Sequence, residues 1–173
     1  MSHALRLHAT PIDVARIMAH SSIDDAEANA RIASMRPADG LATLTALLRA
    51  SAPTAQARAL SLASCQWSHI GHTAIVSAFE SAGSDRGLLC YLSARMSGTP
   101  SDPTLTLAYL KVCRTAGRAD EVERVTRDPG VTYEPHAVLE LLTDPLGDGA
   151  PADPRPIINV CDRFNLAGEM AAI

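Results

Sequence analysis

Apolar residues recur at intervals of three and four along almost the whole chain, and no stretch alternates with the period of two that a half-buried strand requires. Val14, Ile17 and Met18 mark a first helix, entered through Thr10-Pro11, a cap followed by proline in the first turn. Ser22 caps a second, over roughly Asp24 to Ser34, whose Asp24, Asp25 and Glu27 suit the positive end of the helix dipole. Pro37 opens a third with the stripe Leu41, Leu44, Leu47 and Leu48. After Pro53-Thr54 an alanine-rich fourth runs to near Trp67. Gly71 precedes a fifth with Ile75, Val76 and Phe79, closed by Gly83, and a sixth carries Leu88, Leu89, Leu92 and Met96, closed by Gly98.

Ser101-Asp102-Pro103 is the sharpest start signal, a capping pair followed by proline at the first helical position. The helix after it buries Leu105, Ala108, Tyr109 and Val112 and stops at Gly117. Arg118 to Arg127 forms the next through Val122 and Val125, ended by Asp128-Pro129-Gly130. Glu134-Pro135 starts another with Val138, Leu139, Leu141 and Leu142, and residues 144–153 form a breaker-rich loop insertion. Pro156 leads a helix with Ile157, Val160, Cys161 and Phe164, and a last piece covers Leu166 to Ile173.

The pattern predicts about ten or eleven helices of roughly 8–14 residues joined by connections of about 2–6 residues, the spacing of antiparallel helix neighbours. Helices this short gain their stability by packing in pairs. A compact multi-helix domain and an α-solenoid both satisfy that need, and hairpins recurring at roughly 30 residues favour the solenoid. The expected fold is all-α: an α-α superhelix of roughly ten short antiparallel helices in stacked hairpins, forming one segment over residues 1–173.

Composition agrees with a helical protein. Thirty of the 173 residues are alanine and only six are aromatic, which disfavours a β-sandwich or barrel. The net charge of −4, with fourteen arginines and the single Lys111 spread singly, argues against nucleic acid or an anionic membrane as partner. Neither a signal peptide nor an apolar run of about 18 residues is present, so a cytoplasmic location without membrane insertion is expected. Cys65, Cys90, Cys113 and Cys161 are widely spaced and sit among apolar neighbours, as reduced, buried thiols do.

Candidate chemistry is sparse. Cys65, His69 and His72 have metal-like spacing and would share a face of a continuous helix, which Gly71 interrupts. Gly147-Asp148-Gly149 is half of a dinucleotide fingerprint without the strand and helix that would give it meaning. No nucleophile elbow, phosphate loop, zinc-protease motif or calcium loop is present. Asp24, Asp25 and Glu27, like Asp120, Glu121 and Glu123, sit at helix starts where the dipole accounts for them. No catalytic, cofactor-binding or metal residue is assigned, and neither an enzyme nor a cofactor is expected.

Two stretches are more specific. From Gly117 the chain reads Gly-Arg-Ala-Asp-Glu-Val-Glu-Arg-Val-Thr-Arg, and from Pro156 it reads Pro-Ile-Ile-Asn-Val-Cys-Asp-Arg-Phe. Both resemble signature stretches in the α-helical leg of the clathrin heavy-chain family. Asp102-Pro103 with Tyr109-Leu110, Phe79-Glu80-Ser81 and Gly87-Leu88-Leu89-Cys90-Tyr91-Leu92 resemble the preceding hairpins in the same order, and fainter similarity reaches back to about Ile12. Three departures stand out: alanine replaces many bulky apolar residues of the first half, Asp128 to Thr132 is one residue longer, and Leu146 to Pro151 is inserted.

The resemblance implies a scaffold segment of the clathrin coat, serving intracellular protein transport and vesicle-mediated endocytosis. Its partners would be other heavy-chain legs in a lattice, with light chains and adaptors bound through other parts of such proteins. The location implied is cytoplasmic, peripheral on coated pits and coated vesicles. A subunit of an endosomal or vacuolar tethering complex with the same repeat is the alternative in the same structural class. A small helical metal-binding regulator or enzyme using Cys65, His69 and His72 is the alternative in another.

The two stretches also carry structural expectations of their own. Gly117 supplies a left-handed turn, and Val122 and Val125 meet the preceding helix. Asp120 and Glu121 open that helix, Arg124 and Arg127 end it, and Glu123 pairs with Arg127. In Cys161-Asp162-Arg163-Phe164 the cysteine and phenylalanine belong to the core and Asp162-Arg163 to an exposed ion pair.

Overall fold

The computed structural model describes residues 10–20, 23–97, 102–144, 153–166 and 168. Among them every regular element is helical. The order is α1 (Pro11–Ala19), α2 (Asp25–Ala33), α3 (Pro37–Arg49), α4 (Ala55–Ile70), α5 (His72–Ser81), α6 (Asp85–Met96), α7 (Pro103–Thr115), α8 (Ala119–Arg127), α9 (Pro135–Thr143) and α10 (Pro154–Phe164).

Local chemistry explains where these helices begin. Pro11, Pro37, Pro103, Pro135 and Pro154 occupy the first turn of their helices, where no amide hydrogen is needed. Thr10 and Asp13 form a reciprocal capping box, and Asp24 accepts from the Glu27 amide at 2.7 Å. Asp24 thus caps α2; Ser22 and Gly98 lie outside the described residues, as does the loop 145–152. Helix α10 starts at Pro154 rather than Pro156 because Asp153 caps it, accepting from the Arg155 amide at 3.1 Å. Gly71 (φ 87°) parts α4 from α5, and Gly117 (φ 68°) lets α7 turn into α8, both in backbone regions that L side chains avoid.

The chain divides into two compact units, Met1–Tyr91 and Leu92–Ile173. In the first, α3 packs on α1, α4 and α5, while α4 also receives α1, α2 and α5. Met18, Ile32, Leu44, Leu62 and Phe79 are wholly buried there. Leu41, expected in the core stripe of α3, is 39% exposed instead. The inner face is Gly40, Thr43, Leu44, Leu47 and Leu48, because the bare Cα of Gly40 admits Ile70: a Cβ there would lie 3.1 Å from its Cδ1.

In the second unit, α8 packs on α7 and α10, and α9 packs on the same two helices. Leu110, Cys113, Val125, Val138 and Val160 fill its core. Almost every packed pair in either unit joins helices that are next or next but one in sequence, which is compatible with stacked hairpins of an α-solenoid. Two cysteines depart from expectation: Cys113 and Cys161 are buried, but Cys65 and Cys90 are exposed. On α4 half of the buried positions are alanine and two more are Arg58 and Gln66, so apolar character no longer marks the inner side. On α6, Leu88, Tyr91 and Leu92 take the inner side and leave Cys90 outside.

Candidate functional site

The two family-like stretches lie side by side. Helices α8 and α10 pack together and run in the same direction, with contacts that advance along both. Arg155 bridges to Glu123 at 2.9 Å, the Asn159 amide donates to Thr126 Oγ1 at 3.4 Å, and Arg163 donates to the carbonyl of Asp128 at 2.7 Å. Arg163 also donates to the carbonyls of Pro129 (3.0 Å) and Val131 (2.6 Å). One guanidinium therefore grips the connection from Asp128 to Val131 at three points. Its carbon lies 4.8 Å from the centre of the Tyr133 ring, and Phe164 meets that ring edge-on at 5.3 Å. The Tyr133 hydroxyl in turn donates to the Thr126 carbonyl at 2.8 Å, closing the end of α8.

Three expectations change here. Arg163 holds backbone carbonyls, so it is no exposed partner of Asp162. Glu123 turns to Arg155 instead of Arg127, while Arg124 takes Glu121 at 2.9 Å. Cys161 is 2% exposed, as expected of a core thiol, whereas Phe164 is only half-buried.

Arginine plays the same part elsewhere. Arg58 of α4 is 4% exposed and donates to the carbonyl of Met18 in the last turn of α1 and to those of His20 and Ile23 in the α1–α2 connection, with His20 at 2.9 Å. Arg114 of α7 donates to the carbonyls of Leu141 and Asp144 at the end of α9. Each arginine meets a helix C-terminus, where carbonyls lack partners and the dipole is negative. A planar guanidinium with five donors can serve several such oxygens at once, which an ammonium cannot do from one position. Sequence reasoning missed all three. They share one signal, the lack of an acid three or four residues away, but exposed Arg49 shares it too.

Between α7 and α8 lies a polar chain. Glu121 Oε2 accepts from Arg124 and, at 3.2 Å, from the Tyr109 hydroxyl, which accepts in turn from Ser93 Oγ at 3.5 Å. The Arg124 hydrogen bond holds the Glu121 carboxyl below its usual range, and burial pushes the Tyr109 hydroxyl and the Cys113 thiol up. A thiol kept protonated beside an ionised carboxylate is the reverse of an activated nucleophile. The outer side of α8 forms a shallow, solvent-open depression of about 530 Å³ lined by Asp120, Glu123, Arg124, Arg127, Asp128 and Pro129.

The metal-like trio does not converge. Cys65 and His69 are exposed on α4, and His72 starts α5 beyond the turn at Gly71. The His72 ring stacks on Trp67 at 4.9 Å, and its Nδ1 lies 2.7 Å from the Tyr91 hydroxyl. Among the described residues no three His, Cys, Asp or Glu side chains come together as a metal-binding group. Gly147-Asp148-Gly149 lies outside the described residues.

Among the described residues no helix is long and apolar enough to cross a membrane. No protein-family model and no solved structure matches the chain. Over 171 residues, 98% of its length, the chain is 27% identical to clathrin heavy chain 2 of Homo sapiens and 28% identical to the probable clathrin heavy chain of Schizosaccharomyces pombe. Each of those alignments covers 10% of the relative. Over 101 residues, 58% of the chain, it is 33% identical to clathrin heavy chain 2 of Oryza sativa subsp. japonica, covering 6% of that protein. The chain thus spans a tenth or less of the length of these relatives, and it is similar to one segment of the clathrin heavy chain.

Proposed function

We propose that this chain is a scaffold segment of a clathrin-type coat, a mechanical element of vesicle transport rather than an enzyme. One observation carries the reading: the two stretches that resemble the family are a single packed unit, tied by Arg155, Asn159 and Arg163. A rod of short hairpins is stiff only if each connection between helices is held, because a loose connection lets neighbouring layers pivot. The arginine ties supply that hold. Colinear similarity over 98% of the chain supports the reading from the side of sequence.

In this role the partners are other heavy-chain legs, met through many weak contacts that become strong in sum. Light chains and adaptors belong to other parts of such proteins. The location is cytoplasmic, peripheral on coated pits and vesicles. A chimera tests this: residues 10–166 replace the matching segment of a full-length heavy chain, and cage assembly is followed by electron microscopy. Closed cages are expected. Folded, trimeric chimeras that never close a lattice would overturn the assignment.

A further inference from the structure

We propose that α2 is a detachable strap, a nine-residue helix that lifts off α4 as a unit while α1, α3 and α4 stay packed on one another. The character of its underside sets it apart. Helix α3 buries Leu44, Leu47 and Leu48, whereas the buried side chains of α2 are Ala28 and Ile32 alone. The rest of its attachment to α4 is polar. Ser61 Oγ donates to Asn29 Oδ1 at 2.7 Å, and the Gln66 amide donates to the Ile32 carbonyl at 2.9 Å. Arg58 donates to the Ile23 carbonyl just before α2 and lies 3.9 Å from Asp25 in its first turn.

Such an interface costs little to open, because water replaces hydrogen bonds nearly at parity and α2 carries only two buried apolar side chains out with it. Two atoms of α4 gain by the opening. Arg58 Nε and Gln66 Oε1 are buried without a hydrogen-bond partner among the described residues, and solvent supplies one. The frame does not need α2, since α1 packs on both α3 and α4 and those two pack on each other. Arg58 is the pin on which the strap turns. Its Nη1 holds the Met18 and His20 carbonyls on the side of α1, and its Nη2 holds Ile23 on the side of α2. One guanidinium thus spans what stays and what moves. The first unit thereby has two states, one with Arg58, Ser61 and Gln66 covered and one with them bared, the open state being a local unfolding far short of the global one.

The test is native-state hydrogen exchange of the whole 173-residue chain at low urea, read helix by helix by mass spectrometry. Amides of α2 should exchange ahead of those of α1, α3 and α4, through an opening almost indifferent to urea, because the slope follows the surface exposed. Ile32→Ala should speed exchange in α2 about thirtyfold or more, the effect of emptying a buried isoleucine site, and leave α1 and α3 unchanged. Exchange of α2 in step with α3 and α4, with the same urea slope, overturns the strap. So does release of α1 before or together with α2, which is fraying from the end of the chain. A loss of protection that spreads through α1 and α3 in Ile32→Ala overturns it as well, since Ile32 then belongs to one cooperative core. Should that variant fail to fold, the urea slopes of the unsubstituted chain decide alone.

Discussion

Arg163 Nη2 lies 2.6 Å from the carbonyl oxygen of Val131, which ties the last described helix to the link between α8 and α9. With the bonds to Asp128 and Pro129 it makes Arg163 a three-point tether. Arg163→Lys keeps the charge but cannot reproduce the planar fork, so a loss of about 1–2 kcal/mol is expected in urea unfolding. Arg163→Ala should cost about 2–3 kcal/mol, because it also leaves the carbonyls without a donor. A silent Arg163→Lys would show that charge alone matters at this position.

Two glycines should respond in opposite directions to alanine. In an exposed helix interior, Gly→Ala gains up to about 1 kcal/mol from backbone propensity. At Gly87 the new Cβ would lie 2.8 Å from Cε1 of Phe79, a fully buried ring with nowhere to move, so Gly87→Ala should lower the melting temperature. At Gly40 the neighbour is the flexible tip of Ile70 at 3.1 Å, which can yield by a few tenths of an ångström. Gly40→Ala should be neutral or stabilising, and thermal melts of both variants would decide.

These glycines also show how far the pattern of residues could be read. Helix existence was legible almost throughout, because proline at a first turn and an aspartate or threonine before it are local signals, as at Pro11 and Pro103. Facing was less legible. The outward Leu41 follows from Ile70 entering the gap at Gly40, a contact 30 residues away in sequence that no local period encodes. Cys65 misled for a related reason, since an alanine-rich helix has no clear apolar side. The tethers of Arg58 and Arg163 bind backbone oxygens, which carry no residue identity for a motif to capture.

Acid should weaken the polar chain around Glu121 in a defined way. The Arg124 hydrogen bond lowers the Glu121 pKa in the folded protein, so the folded state binds that proton less readily than the unfolded state. Its stabilisation is full above the ordinary glutamate value of about 4.3. It is lost as pH falls from there through the lowered folded value. Glu121→Gln should flatten stability against pH across this window while leaving the slope near neutrality unchanged. Urea midpoints measured from pH 3 to 7 provide the check, and an unaltered acid slope would assign the effect to other carboxylates.

Thiol labelling separates the cysteines cleanly. Cys65 and Cys90 are exposed and should react with a thiol reagent in the native protein. Cys113 and Cys161 are buried, and burial also pushes the Cys113 thiol up, so both should react only on unfolding. Mass spectrometry of native and denatured samples should find two and then four modified residues. Native labelling of Cys113 would mean that α7 opens locally.

The arginine tethers bear on how such a protein can drift in sequence. A carbonyl oxygen is present in all twenty residue types, so almost any replacement at Pro129, Val131 or His20 leaves Arg163 or Arg58 an oxygen to hold. The geometry of each bend thereby rests on one long side chain and is largely indifferent to the identity of the residues that form the bend. A chain built this way can exchange much of its outer vocabulary while the angles between its layers stay where they were.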